Sequence, residues 1–153
     1  MPFLKPINKM KRLIVLLSCC LLLQLQMQAQ PTLSWEMLAE VKLESKHDEQ
    51  ARAFYSQIVP SEAVRKLDGK MVIVKGYMLP MDVKDGYYIL SAFPNSSCFF
   101  CGAAGEESVI ELKFKGSPRT YKMDEVVSLK GRFRWNQKPF ELPYILEEAE
   151  PYP

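Results

Sequence analysis

The chain has 153 residues, with 20 Lys and Arg against 18 Asp and Glu, for a formal net charge of +2. That length suits one domain plus an appendage. A charge so close to neutrality gives little electrostatic reason to hold nucleic acid, which calls for a concentrated positive field.

The appendage is at the front. Lys5, Lys9, Lys11 and Arg12 form a basic region, Leu13 to Leu23 an apolar run too short to span a bilayer, and a Gln-rich polar stretch leads to Ala29. This is the layout of a secretory signal peptide over residues 1–29, with cleavage expected near Ala29 and a secreted or periplasmic product that is not an integral membrane protein. A lipoprotein anchored at Cys19 is the alternative, although Leu16, Leu17 and Ser18 match a lipobox imperfectly. Loss of the leader takes four basic residues with it and turns the net charge of +2 into −2. It also removes Cys19 and Cys20, so that Cys98 and Cys101 remain in a compartment where disulfides persist.

From Ser34, "SWEMLAEVKLE" offers an N-cap, Glu36 in the first turn, and Trp35, Leu38 and Ala39 at helical spacing, although Val41 and Leu43 could equally begin a strand. Residues 44–59 are charged and weakly periodic and receive no assignment. "PSEAVRKLDG" predicts a second short helix with Ser61 as cap, Arg65 and Lys66 in its last turn and Gly69 as its stop. Beyond Gly69 the pattern is β. "KMVIVKGYMLP" alternates Val72, Val74, Gly76 and Met78 against Lys75 and Tyr77, and Asp85 and Gly86 turn the chain into the run Tyr87 to Phe93. "SVIELKFK" points Ile110, Leu112 and Phe114 inward. "VVSLKGRFRW" does the same with Val127, Leu129, Gly131, Phe133 and Trp135, leaving Ser128, Lys130, Arg132 and Arg134 to water. A last short strand is expected at Leu142 to Leu146, followed by a frayed acidic tail that is disordered over 151–153.

Gly76 and Gly131 fall at equivalent points of two similar strands and read as bends of a coiled sheet. Five strands, two of them glycine-kinked, predict a mainly β fold: a small five-stranded Greek-key barrel of the OB type over residues 30–150, with short N-terminal helices. An open β-sandwich is the alternative.

The one stretch that is neither ordinary core nor ordinary loop is "SSCFFCGAAGEES". Cys98 and Cys101 followed by Gly102 have the spacing of a zinc knuckle, in which the glycine lets backbone N–H groups turn toward the sulfurs. A closed site needs four ligands, and the nearest additional donors are His47, Glu106 and Glu107. The same cysteines also suit a catalytic dithiol, though without the helix N-terminus that activates one, or a disulfide closing a four-residue loop, worth about 2 kcal/mol in the chain-entropy model. His47 lies in a polar run and reads as a solvated residue. Met37, Met71, Met78, Met81 and Met123 could suggest copper, but Met on apolar faces simply fills gaps. Glu106 and Glu107 show no partner or pocket for acid/base work. "NSS" at 95–97 matches a glycosylation sequon. Tyr77, Tyr87, Tyr88, Phe99 and Phe100 could together form a ligand-binding face, as OB-type barrels often present one.

The runs "TLSWEMLAEVKLESK", "LDGKMVIVKGYMLPMDV", "SSCFFCGAAGEESVIEL" and "YILEEAE" resemble, in that order, a family of small exported bacterial proteins of unknown function, in its Bacteroidetes-type form with a Cys-x-x-C-Gly loop. Broader relatives carry a Cys followed closely by His and a run of prolines. Here Phe100 stands where the His would be, and the prolines are absent. The resemblance implies an accessory role outside the inner membrane, often beside ABC-type export or metal-transport machinery, and it carries no established activity. The combined expectation is an exported, non-enzymatic module that binds zinc, copper or a transporter or other envelope protein. Cys98 and Cys101 would be the ligands, with Phe99, Phe100, Tyr77 and Tyr87 around them. A thiol-disulfide redox accessory and an interaction module with a purely structural bridge are the alternatives.

Overall fold

A computed structural model describes residues 30–153; the expected leader, its cleavage position and Cys19 lie outside the described residues. The chain runs through α1 (Trp35–Ala39), β1 (Val41–Asp48), β2 (Ala53–Pro60), α2 (Glu62–Arg65), β3 (Met71–Asp82), β4 (Tyr87–Ser91), β5 (Val109–Phe114), β6 (Glu125–Trp135) and β7 (Tyr144–Pro151). Strands β3 to β7 close into a barrel in the order β3-β4-β5-β7-β6, with β5 and β7 parallel and every other pair antiparallel. Numbered within the barrel this is the order 1-2-3-5-4, the five-stranded Greek key of the OB type. β1 and β2 form a separate antiparallel ribbon. No helix among the described residues is long and apolar enough to cross a membrane.

Alternation builds the barrel as expected. Val72, Val74 and Met78 of β3, Ile110 and Leu112 of β5, and Leu129 and Phe133 of β6 are all buried in one interior cluster. Close packing explains both inward-facing glycines physically. A Cβ on Gly76 would sit 2.6 Å from the Ser91 carbonyl oxygen and 3.0 Å from the Trp35 ring, so the bare backbone makes room for its neighbours. Gly131 faces a true bulge. The β6–β7 register slips there, Gly131 opposing both Glu148 and Ala149, and Glu148 takes the left-handed conformation with φ of 53°.

The N-terminal segments plug one end and one side of this barrel. Ser34 caps α1, its Oγ accepting from the Met37 N–H, and Leu38 is buried beneath it. The Trp35 indole donates to the Lys75 carbonyl at 2.7 Å, and the buried Tyr144 hydroxyl donates to the Leu38 carbonyl at 3.1 Å. Ser61 departs from expectation. Its Oγ makes no capping bond and is buried without a partner, and α2 begins instead with the Arg65 N–H donating to the Ser61 carbonyl at 3.0 Å. Gly69 follows at φ of 77°, as a helix stop should.

Three other differences have clear causes. The unassigned residues 44–59 are most of the β1–β2 ribbon, hidden because β1 is exposed along most of its length and so carries no apolar period. The expected strand at Leu142 to Leu146 starts at Tyr144 and runs to Pro151, and Tyr152 N–H donates to the Ser128 carbonyl, where fraying was expected. Its acidic residues are cross-strand partners of β6: Glu150 lies 2.8 Å from Lys130, Glu148 3.8 Å from Arg132 and Glu147 3.8 Å from Arg134. Tyr88, expected in the exposed aromatic face, is 2% exposed. It shares the interior register of Leu90 and packs edge-on against the Phe114 and Tyr121 rings.

Candidate functional site

Residues 92–108 connect β4 to β5 through three single turns of 3-10 helix, Asn95–Ser97, Phe99–Cys101 and Glu106–Ser108. Ala92 N–H donates to the Ser108 carbonyl at the base, and Asn95 N–H to Asp124 Oδ1 at 2.7 Å. Leu79, Ile89 and Val109 each follow or precede an interior residue of β3, β4 or β5, so period 2 turns them outward. The loop folds back over them. Cys98 is fully buried against these three side chains, with Phe99 and Leu142 packed at the edge.

The two sulfurs therefore differ. Cys98 sits in hydrocarbon, whereas Cys101 is exposed and its Sγ donates to the Asn95 carbonyl at 2.9 Å; both cysteines are free. Lost hydration and then the neighbouring Cys98 push the Cys101 thiol up from its usual value, which keeps it protonated and poorly nucleophilic at neutral pH. The knuckle geometry expected from the spacing is not formed. The N–H groups of Cys101, Gly102 and Ala103 donate to the carbonyls of Cys98, Phe99 and Cys98 at 3.2, 2.8 and 3.4 Å, because the 3-10 turn and the left-handed Gly102 direct them inward along the chain rather than at a sulfur. Among the described residues no three His, Cys, Asp or Glu side chains gather as a metal site. The donor set present does not fit a closed zinc or copper centre.

His47 stands on the ribbon, with Nδ1 3.2 Å from Glu49 Oε1 and its ring edge-on to Phe54. Met78 is core and Met37 packs on it, while Met81 and Met123 are exposed. Phe99 and Phe100 form a T-shaped pair with Phe100 exposed; Tyr87 lies at the far end of β4, in a groove with Glu111 and Lys113, and Tyr77 is half-buried on β3.

Glu106, which showed no pocket in the sequence, has one in three dimensions. It lines a cleft of about 170 Å3 with Tyr55 and Gln57 of β2 and Asn136, Lys138, Phe140 and Glu141 of the β6–β7 connection. Burial, and then the charge of Glu107, raise its carboxyl above the ordinary value. Gln57 is 6% exposed; its Nε2 donates to the Gln137 carbonyl at 3.1 Å, and its Oε1 is buried without a partner. Neither β2 nor residues 136–143 carried a motif, so nothing in the sequence marked Gln57 or Phe140. Their proximity to Glu106 is purely tertiary.

Fold and loop together define an OB-type barrel with an added N-terminal ribbon and a folded-back loop between its second and third strands. A DUF3299 family protein from Pseudomonas aeruginosa PAO1 has a similar crystal structure, with a TM-score of 0.52 at 15% identity over 82% of this chain and 98% of that one. At that identity the likeness is one of fold, and it agrees with the resemblance to an uncharacterised domain family. No protein-family model and no curated protein matches the chain.

Proposed function

We propose that this chain is an exported, non-enzymatic binding module, in which Cys98 and Cys101 are a structural pin holding the 92–108 loop on the barrel. The observation that carries this reading is the complete burial of Cys98 among Leu79, Ile89 and Val109. A sulfur so placed serves packing, and in an oxidising compartment it can close a short bridge with Cys101 without becoming an open port. The loop then presents Phe100, 43% exposed, and Phe93, 46% exposed, toward an envelope protein, of which an ABC-type transporter is the partner that the family resemblance suggests. The raised thiol of Cys101 and the lack of an activating helix support a non-redox role.

Equilibrium dialysis of the reduced protein against zinc and copper tests the reading. Retention no greater than that of a Cys98→Ser, Cys101→Ser double variant is expected. Stoichiometric retention abolished in the double variant would overturn the pin and restore soft-metal binding at these two sulfurs.

A further inference from the structure

The cleft between β2 and the β6–β7 connection is lined by two residues whose side-chain acceptors have no donor among the described residues. Gln57 Oε1 is one, and its orientation is fixed: the side-chain amide faces the Gln137 carbonyl, which can only accept, so Nε2 must point there and Oε1 elsewhere. The Glu106 carboxylate is the other, making no ion pair or hydrogen bond among the described residues. The remaining charges in the cleft are already matched. Lys138 Nζ lies 3.5 Å from Glu141 Oε1, and Asn136 Nδ2 donates to Glu141 Oε2 at 3.0 Å. What is left over is one negative charge, at Glu106, and the unused acceptor of Gln57.

The walls are aromatic. Tyr55 and Phe140 lie with ring centroids 5.4 Å apart, and Phe140 is held at φ of 60°, a backbone conformation that costs a bulky residue energy and is kept only where the surroundings impose it. A space of about 170 Å3 is close to the roughly 150 Å3 that admits a benzene-sized guest. We propose that this cleft binds a primary ammonium group on a short apolar stem, as in a small alkylamine or a lysine side chain. The ammonium has three donors for Gln57 Oε1 and the Glu106 carboxylate and the stem lies between Tyr55 and Phe140, where the ring faces also favour a cation. An anion would meet the Glu106 carboxylate, which no cation in the cleft neutralises, and is disfavoured. This goes beyond the binding-module reading and uses neither sulfur, so a metal found at Cys98 and Cys101 would leave it standing.

The test is an NMR titration of the purified protein at neutral pH with n-butylammonium chloride, n-butanol and sodium butyrate, followed at the Gln57 side-chain amide. Saturable shifts with butylammonium are expected at a Kd on the order of 1 mM, a scale set by so few ligand atoms. Butanol should bind at least about tenfold more weakly, the factor lost with one charge-assisted contact, and butyrate not at all. Glu106→Gln should weaken butylammonium about tenfold without lowering thermal stability, and Gln57→Leu should weaken it too, with some loss of stability because the Gln137 carbonyl loses its donor. A blocked Gly-Lys-Gly peptide separates the two sources: binding as tight as butylammonium assigns the site to polypeptide lysine, weaker binding to free amines. Equal binding of butanol and butylammonium, an unaffected Glu106→Gln variant with its fold intact, or no saturable shift would overturn the proposal.

Discussion

Replacing the Cys98 thiol by a hydroxyl puts a strong hydrogen-bonding group among Leu79, Ile89 and Val109, with the weakly bonding Cys101 thiol as its polar neighbour. Cys98→Ser should cost about 1–3 kcal/mol, whereas Cys101→Ser, at an exposed position, should stay within about 0.5 kcal/mol, as urea unfolding under reducing conditions would show. Glu106 makes a second prediction of opposite sign to the usual carboxylate. Its pKa is raised above the ordinary 4.5 by burial, and then by Glu107, so the folded state keeps the proton after the unfolded state has lost it. Stability therefore falls as pH rises through that window, and Glu106→Gln should flatten this part of the pH profile and leave the variant the more stable one at neutral pH. The sequence could place both cysteines in one turn but not separate their environments, because burial of Cys98 depends on outward residues of three different strands. Tyr87 and Tyr88 show the same limit. In "YYIL" every residue is apolar enough for either face, and only register sends Tyr88 inward.

The strands legible in the sequence are those with one wet face. β3 and β6 alternate cleanly, and their glycines are where backbone must approach closely. Gly76→Ala would drive a Cβ to 2.6 Å from the Ser91 carbonyl oxygen, an overpacking worth about 1–3 kcal/mol by chemical denaturation. On the opposite strand, Glu148 carries a left-handed backbone that glycine would adopt freely. Glu148→Gly should gain up to about 1 kcal/mol, since the ion pair it gives up with Arg132 is exposed and weak. β1 was illegible for the opposite reason, being wet on nearly all sides. The extension of β7 was hidden by its acidic residues, which make sense only beside the basic face of β6.

At the scale of the molecule, a single parallel bridge between Thr32 and Ile73 and a set of side-chain hydrogen bonds tie the N-terminal segments to the barrel. Trp135 Nε1 donates to the Ile58 carbonyl at 3.1 Å, Gln57 reaches Gln137, and Tyr144 reaches Leu38 from inside the barrel wall. The Tyr144 hydroxyl is pushed well up by burial, then by the charge of Glu107, and it stays a donor throughout the accessible pH range. Tyr144→Phe leaves the Leu38 carbonyl orphaned and should lower stability by about 1–3 kcal/mol in a single cooperative transition, because α1 and the barrel share one core. The five-stranded closed architecture was readable from strand count and glycine placement. The amine cleft was not, since it is assembled from the ribbon, the β4–β5 loop and the β6–β7 turn, which meet only after closure.

The parallel seat of β7 has a kinetic corollary. The strand follows the other four barrel strands along the chain, and its insertion between β5 and β6 closes the open sheet β6-β3-β4-β5 into a cylinder. Until it docks, β5 and β6 each expose an unpaired backbone edge, so the folding chain is at its stickiest just before these eight residues join.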